Sequence, residues 1–143
     1  MFAGVFCFWG RSILIYSLLI LSSPASGHCT LTATQFARAV LDRGHTIRRV
    51  FFLDAGVQSG AAISVFPQDE DNPVSAWIQL AEQYNVELIL CISSCLKYGM
   101  LDNTEAERNE HNTVTVHPTF KIAGLGQLVD ASAHSDRMIT FGG

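Results

Sequence analysis

Hydrophobic positions along this chain alternate between two rhythms. Ile13 to Leu21 is a nearly unbroken apolar run closed by Ser22, Ser23 and Pro24, the pattern of a parallel strand buried on both faces. Ala33, Phe36, Ala37, Val40 and Leu41 then recur at i, i+3, i+4, i+7 and i+8, which predicts a helix face. Thr32 and Gln35 stand at capping-box spacing ahead of it, and Gly44 supplies a left-handed stop. "TIRRVFFLDAGV" predicts a second strand, roughly Ile47 to Asp54. The first three elements thus form a βαβ unit.

The rhythm repeats downstream. Gln58 to Asn72 reads as a polar loop, with Asp69 to Asp71 as solvated surface. Asn72-Pro73 supplies an N-cap followed by proline at the first helical position. Val74, Trp77, Leu80, Ala81 and Tyr84 make the buried face of the helix that follows, which places Trp77 in the core. "VELILC" is a third strand, followed by a short helix to about Tyr98 and a stop at Gly99. Asp102 and Glu105 repeat the capping pattern before another short helix. The remainder predicts a loop or short strand around "HPTFKIA", a helix with Leu125, Leu128 and Val129 inward, and a last strand from Arg137 to Phe141. Alternating strands and helices predict a single α/β domain, a three-layer sandwich on a mostly parallel sheet of about five strands.

The N-terminus carries a competing signal. Ile13 to Leu21 followed by small residues, with Ala25 and Gly27 placed as at a signal-peptidase site, resembles a secretory leader. However, only Arg11 is basic ahead of it, the run is too short to span a bilayer, and removing residues 1–27 would strip the βαβ unit of its first strand. The strand reading is therefore preferred. Residues 1–13 match no element and are expected to be a dispensable extension arising from a misplaced start site, with the domain at 14–143.

Composition narrows the function. At 143 residues, 48% hydrophobic and 15% charged, the chain is long enough for a core that needs no staples. Net charge is −4 and the basic residues are scattered, which argues against direct nucleic-acid binding. Cys7, Cys29, Cys91 and Cys95 lack zinc-ligand spacing, and the five histidines form no HxH or HxxxH pair. "GLGQL" lacks the context of a dinucleotide fingerprint and reads as a helix start. Neither GxSxG nor a P-loop occurs.

One position remains. Cys91 ends an apolar strand where a helix begins, and catalytic groups of open parallel sheets gather at strand carboxyl ends. Unpaired N–H groups there lower a thiol pKa from about 8.5 and populate the nucleophilic thiolate. The bland reading, a small core residue closing a strand, stays open at this point. Cys95, one helical turn on, either faces Cys91 or packs inertly against the sheet with a raised pKa, and the inert role is favoured.

Taken together, "FARAVLDRGHTIRRVFFLDAGV", "PQDEDNPVSAWIQLAEQY", "LCISSCLKYGMLDNTEAERN", "AGLGQLVDA" and "DRMITFGG" resemble, in order and spacing, the DsrE/TusD family of sulfur-relay proteins over about residues 14–143. The resemblance implies a DsrE-like fold and a sulfurtransferase that accepts sulfane sulfur as a persulfide on Cys91, which precedes Gly99, Asp102, Glu105 and Ala106 as in the family. It implies no cofactor and no metal. TusD-type members work in 2-thiolation of the tRNA wobble uridine, with TusB- and TusC-like subunits, a TusA-like donor and a TusE-like acceptor. DsrE-type members, with DsrF- and DsrH-like subunits, serve dissimilatory sulfur oxidation. The chain departs from the pattern after the cysteine, where small alanines and an arginine pair are replaced by Ile92, Ser93, Ser94, Cys95, Lys97 and Tyr98. A cytoplasmic hetero-oligomer subunit with an exposed, activated Cys91 is the expectation. The alternatives are a secreted or tethered α/β binding protein, or a non-catalytic subunit if Cys91 is buried.

Overall fold

In the computed structural model, which describes residues 12–142, the chain builds one five-stranded sheet in the order β4-β3-β2-β1-β5, every pairing parallel. The strands are β1 (Ile15–Ile20), β2 (Thr46–Phe52), β3 (Glu87–Cys91), β4 (Phe120–Ala123) and β5 (Arg137–Phe141). The helices are α1 (Cys29–Asp42), α2 (Pro73–Tyr84), α3 (Ile92–Tyr98), α4 (Asn103–Arg108) and α5 (Gly126–Ala133). A 3-10 turn, Asp54–Gly60, follows β2, starting at the expected end of that strand and overlapping the first residues of the expected polar loop. The predicted α/β architecture is the one observed.

The apolar run at the N-terminus becomes an interior strand of the sheet. β1 pairs with β2 on one side and β5 on the other, and Leu18 and Ile20 have no exposed surface. β1 is therefore a working strand of the fold. The sequence before Ser12, including Cys7 and most of the expected extension, lies outside the described residues.

Two packing layers cover the sheet. Trp77 of α2 is fully buried and meets Phe52 edge-on at 5.5 Å, so α1 and α2 share the Phe52 face, as their mutual packing confirms. On the other face α5 is held by charge. Strict alternation would send Arg48 and Arg49 to opposite faces, yet the register slips between Tyr16 and Ser17 and leaves Arg48 unmatched. Both guanidiniums then reach Asp130 at 2.9 Å. Arg49 is buried, and its other donors go to Glu87 at 2.8 Å and the Gln127 carbonyl at 2.7 Å, so each of its guanidinium nitrogens is bonded.

Several local expectations hold. Asn72 caps α2 by accepting from the N–H groups of Val74 and Ser75, with Pro73 at the first helical position. Asp102 caps α4 by accepting from the Glu105 N–H at 2.9 Å, and Gly99 closes α3 at φ 68°. Two do not. Thr32 does not cap α1: the helix starts at Cys29 after left-handed Gly27, and the Thr32 hydroxyl instead donates back to the His28 carbonyl at 3.0 Å. On α5, Leu125 and Val129 face solvent, while Ala131 and Leu128 face the core. The tie of Asp130 to both arginines sets the rotation of that helix, and apolar spacing alone does not reveal it.

β1 lies between two neighbours, so it cannot be removed without exposing both. A chain begun at His28 is expected to lack cooperative folding, giving no sigmoidal urea transition by circular dichroism, whereas one begun at Ser12 keeps it.

Candidate functional site

The parallel ladder brings the carboxyl ends of all strands to one edge of the sheet, and Cys91 sits there as the last residue of β3 and the N-cap of α3. Its neighbour β2 ends one strand away at Phe52, with Phe52 opposite Leu90. The chain leaving β2 is drawn tight. Leu53 donates its N–H to the Ile20 carbonyl at 2.9 Å, and Gly56 lies so close to β1 that a Cβ would fall 2.1 Å from the Ile20 oxygen. Gly60 is pressed against Leu90 in the same way, and its carbonyl accepts from the His117 N–H at 2.8 Å. The 3-10 turn is thereby fixed beside α3.

Cys91 is buried, with no exposed surface in the isolated chain. The expected exposed thiol is corrected on this point: β3 carries its burial through to its last residue, and α3 with the 3-10 turn closes over the strand end. Burial alone would push the thiol pKa up, and it is the largest single influence. It is outweighed by the hydroxyls and backbone N–H groups of Ser93 and Ser94, which together hold the Cys91 pKa below its ordinary value. The Ser93 hydroxyl lies 3.3 Å from the Cys91 sulfur. α3 has only seven residues and a small dipole, so these local hydrogen bonds carry the stabilisation that a longer helix would lend.

Cys95 behaves oppositely. It is fully buried, its pKa is pushed up to about 12, first by burial and then by the charges of Cys91, Asp102 and Glu105, and it stays a neutral thiol. The inert, packed reading of Cys95 fits this environment. Cys29, half-buried at the start of α1, is also a free thiol.

The other sequence candidates do not join this site. His28 and Asp69 to Asp71 line a separate cavity of about 490 Å³ with Pro24, Phe66 and Pro73. Among the described residues no group of histidine, cysteine or carboxylate side chains is arranged to hold a metal ion, and no helix is long and apolar enough to cross a membrane. Sequence reasoning missed Ser93, Ser94 and Asp54 as site residues. Two hydroxyls directly after a cysteine were a usable signal. The approach of Asp54 was not, because it depends on strand pairing.

Comparison with known proteins identifies the group to which this arrangement belongs. The model of the DsrE/DsrF-like family matches residues 16–141. The chain belongs to this family. It is 39% identical over 127 residues to the DsrE protein of Allochromatium vinosum, covering 89% of this chain and 98% of that one. It is 37% identical to the sulfurtransferase TusD homolog of Vibrio vulnificus strain YJ016, with 91% and 99% covered. Identity to sulfurtransferase TusD of Serratia proteamaculans is 36%, with 86% and 96% covered. The crystal structure of the YchN protein of E. coli superposes with a TM-score of 0.68 at 15% identity, covering 90% of this chain and all of that one, which shows a shared fold. DsrE-family membership thus confirms the resemblance read from segments spread over about residues 14–143.

The two thiols give a pH test with a defined sign. The unfolded chain ionises Cys95 near 9.0 and the folded chain near about 12, so Cys95 makes stability fall as pH rises between those values. Urea midpoints measured across that window should fall more steeply for the wild type than for Cys95→Ala. In the native protein Cys95 should also resist iodoacetamide at pH 8 and react once unfolded.

Proposed function

We propose that this protein is a sulfurtransferase subunit that accepts sulfane sulfur as a persulfide on Cys91 and passes it to the next carrier. The observation that carries the reading is the environment of Cys91, a strand-end thiol whose sulfur faces the hydrogen-bond donors of Ser93 and Ser94 within a DsrE/DsrF-like chain. A thiolate attacks a sulfane sulfur, forming the Cys91 S–S bond as the donor's sulfur leaves as its thiolate. The persulfide so formed is again an anion and is stabilised by the same donors. The acceptor's thiolate then attacks the outer sulfur, and the Cys91 thiolate is regenerated as the leaving group. Neither step calls for a cofactor. Because Cys91 is buried in the isolated chain, both transfers require the cover over its sulfur to open, and docking of donor and acceptor supplies an occasion for that. Neutral, buried Cys95 does not discharge the persulfide as sulfide.

The pathway proposed is 2-thiolation of the tRNA wobble uridine in the cytoplasm, within a hetro-oligomer containing TusB- and TusC-like subunits, with a TusA-like donor and a TusE-like acceptor. The chain itself neither contacts the nucleic acid nor enters the membrane in this scheme. The names of the Vibrio and Serratia relatives support it. The 39% identity to the Allochromatium protein favours a second reading, a DsrE-type relay of dissimilatory sulfur oxidation with DsrF- and DsrH-like subunits.

Incubation with a sulfane-sulfur donor followed by peptide mass spectrometry should add one sulfur atom to the Cys91 peptide. Cys91→Ser should abolish loading and Cys95→Ala should retain it. A label on Cys95, or undiminished loading in Cys91→Ser, would overturn the assignment. Expression in a bacterial strain lacking TusD, with 2-thiouridine measured in its tRNA, separates the pathways: restoration supports thiolation, and loading without restoration favours the second reading.

A further inference from the structure

The Cys91 sulfur has no exposed surface, yet one residue in contact with it does. Ser93 is exposed, and its hydroxyl lies 3.3 Å from that sulfur without a second hydrogen-bond partner among the described residues. The other groups around the strand end are held in place. Ser94 is buried, and its hydroxyl accepts the Asp54 N–H at 2.9 Å. Cys95 is buried, and Ala123 is locked opposite Cys91 in the ladder between β3 and β4. The 3-10 turn is pinned where Gly56 meets β1 and Gly60 meets Leu90. Of these groups only Ser93 joins contact with the sulfur to a free path into water, and rotation about its single χ1 bond carries the hydroxyl from one staggered position to another. Chemistry fixes the direction of the hydrogen bond. Either atom can donate while the thiol keeps its proton, but a thiolate only accepts, so Ser93 is then the donor.

We propose that the Ser93 side chain is the door to the Cys91 sulfur: closed, its hydroxyl donates to the sulfur anion, and swung aside, it admits the donor or the acceptor of sulfur. This deepens the sulfur-carrier reading and rests on it for its purpose. Bond lengths call for such a movement on the solvent side. A persulfide places its outer sulfur about 2.05 Å from the inner one. A sulfur arriving beneath the Ser93 hydroxyl does not fit within the 3.3 Å between that oxygen and Cys91. The hydroxyl therefore leaves before the new S–S bond forms, and from its new position it can meet the outer sulfur. The charged groups on the elements packed against α3 are Asp54 on the 3-10 turn, Glu87 on β3 and Lys121 on β4, with Lys97 on α3 itself and Asp102 and Glu105 following it. None of these pairs with Cys91 among the described residues, so no ion pair competes with Ser93 for the sulfur.

The test is the rate at which iodoacetamide alkylates Cys91 in the full folded chain, read by tandem mass spectrometry across the thiol titration range. Each pH profile gives two quantities: its midpoint reports hydrogen bonding to the anion, and its plateau reports access to the sulfur. Ser93→Ala removes donor and cover together, so its midpoint is expected to rise by about one pH unit and its plateau by about tenfold. Greater basicity alone would raise the plateau only about threefold. Ser93→Thr keeps the hydroxyl and adds a methyl group, so its midpoint should stay near wild type while its plateau falls. Ser93→Val has the shape of threonine but cannot donate, so its midpoint should rise while its plateau stays well below that of Ser93→Ala. An unchanged midpoint in Ser93→Ala, a plateau there within about threefold of wild type, or equal plateaus in Ser93→Val and Ser93→Ala overturns the proposal. Should Ser93→Ala fail to fold, an unslowed plateau in Ser93→Thr or an unraised midpoint in Ser93→Val overturns it instead. Failure of the wild type to load sulfane sulfur would overturn the carrier reading and leave these profiles intact.

Discussion

The constraint on which the structure depends is the parallel ladder through β1. In a parallel sheet every strand runs the same way, so all carboxyl ends share one edge and each return connection must cross a face. β1 has two partners and no exposed surface at Leu18 or Ile20, and it ties β2 to β5 across a connection that spans the sheet. The placement of the site follows from this. Because β2 and β3 are adjacent and in register from Arg49–Glu87 to Phe52–Leu90, the turns that leave them emerge side by side. Asp54 meets Ser94 across 40 residues of sequence for that reason alone.

The two neighbouring thiols show how little distance is needed to reverse a pKa. Cys91 and Cys95 are both fully buried and lie four residues apart, so loss of water raises both. What differs is what faces the sulfur. Around Cys91, hydroxyl and amide hydrogens favour the anion strongly enough to overcome desolvation. Around Cys95, only negative charge is added, from Cys91 and the carboxylates of Asp102 and Glu105. A thiolate at the first position also disfavours a thiolate at the second, so Cys91 ionises before Cys95.

The faces of the sheet are unequal. One carries an aromatic and aliphatic core, in which Phe52 stacks edge-on against Trp77 at 5.5 Å and Phe120 at 5.6 Å. The other adds polar contacts to buried Phe51 and Ile89: the two arginines on Asp130, and buried Ser17 bonded to Ser135 at 2.7 Å. α5 therefore owes its position to charge pairing more than to an apolar stripe, and this is why Leu125 and Val129 can face water.

Periodicity and end signals were enough to read the strand order along the chain, the α/β class, the caps at Asn72 and Asp102, and the strand-end placement of Cys91, because each depends on residues within a turn or two of one another. The resemblance to the family rested on the same local segments. Tertiary structure alone decided the rest. The register slip beside Arg48 turned two successive arginines to one face and so rotated α5 away from the predicted phase. Left-handed Gly27 started α1 a turn before Thr32. The burial of Cys91, and the Asp54 N–H that meets Ser94 beside it, depend on the pairing of β2 with β3 and the packing of the 3-10 turn on α3. A sequence lists the groups near each other along the chain. Which groups are desolvated together, and which dipoles face them, is fixed only when distant strands pair.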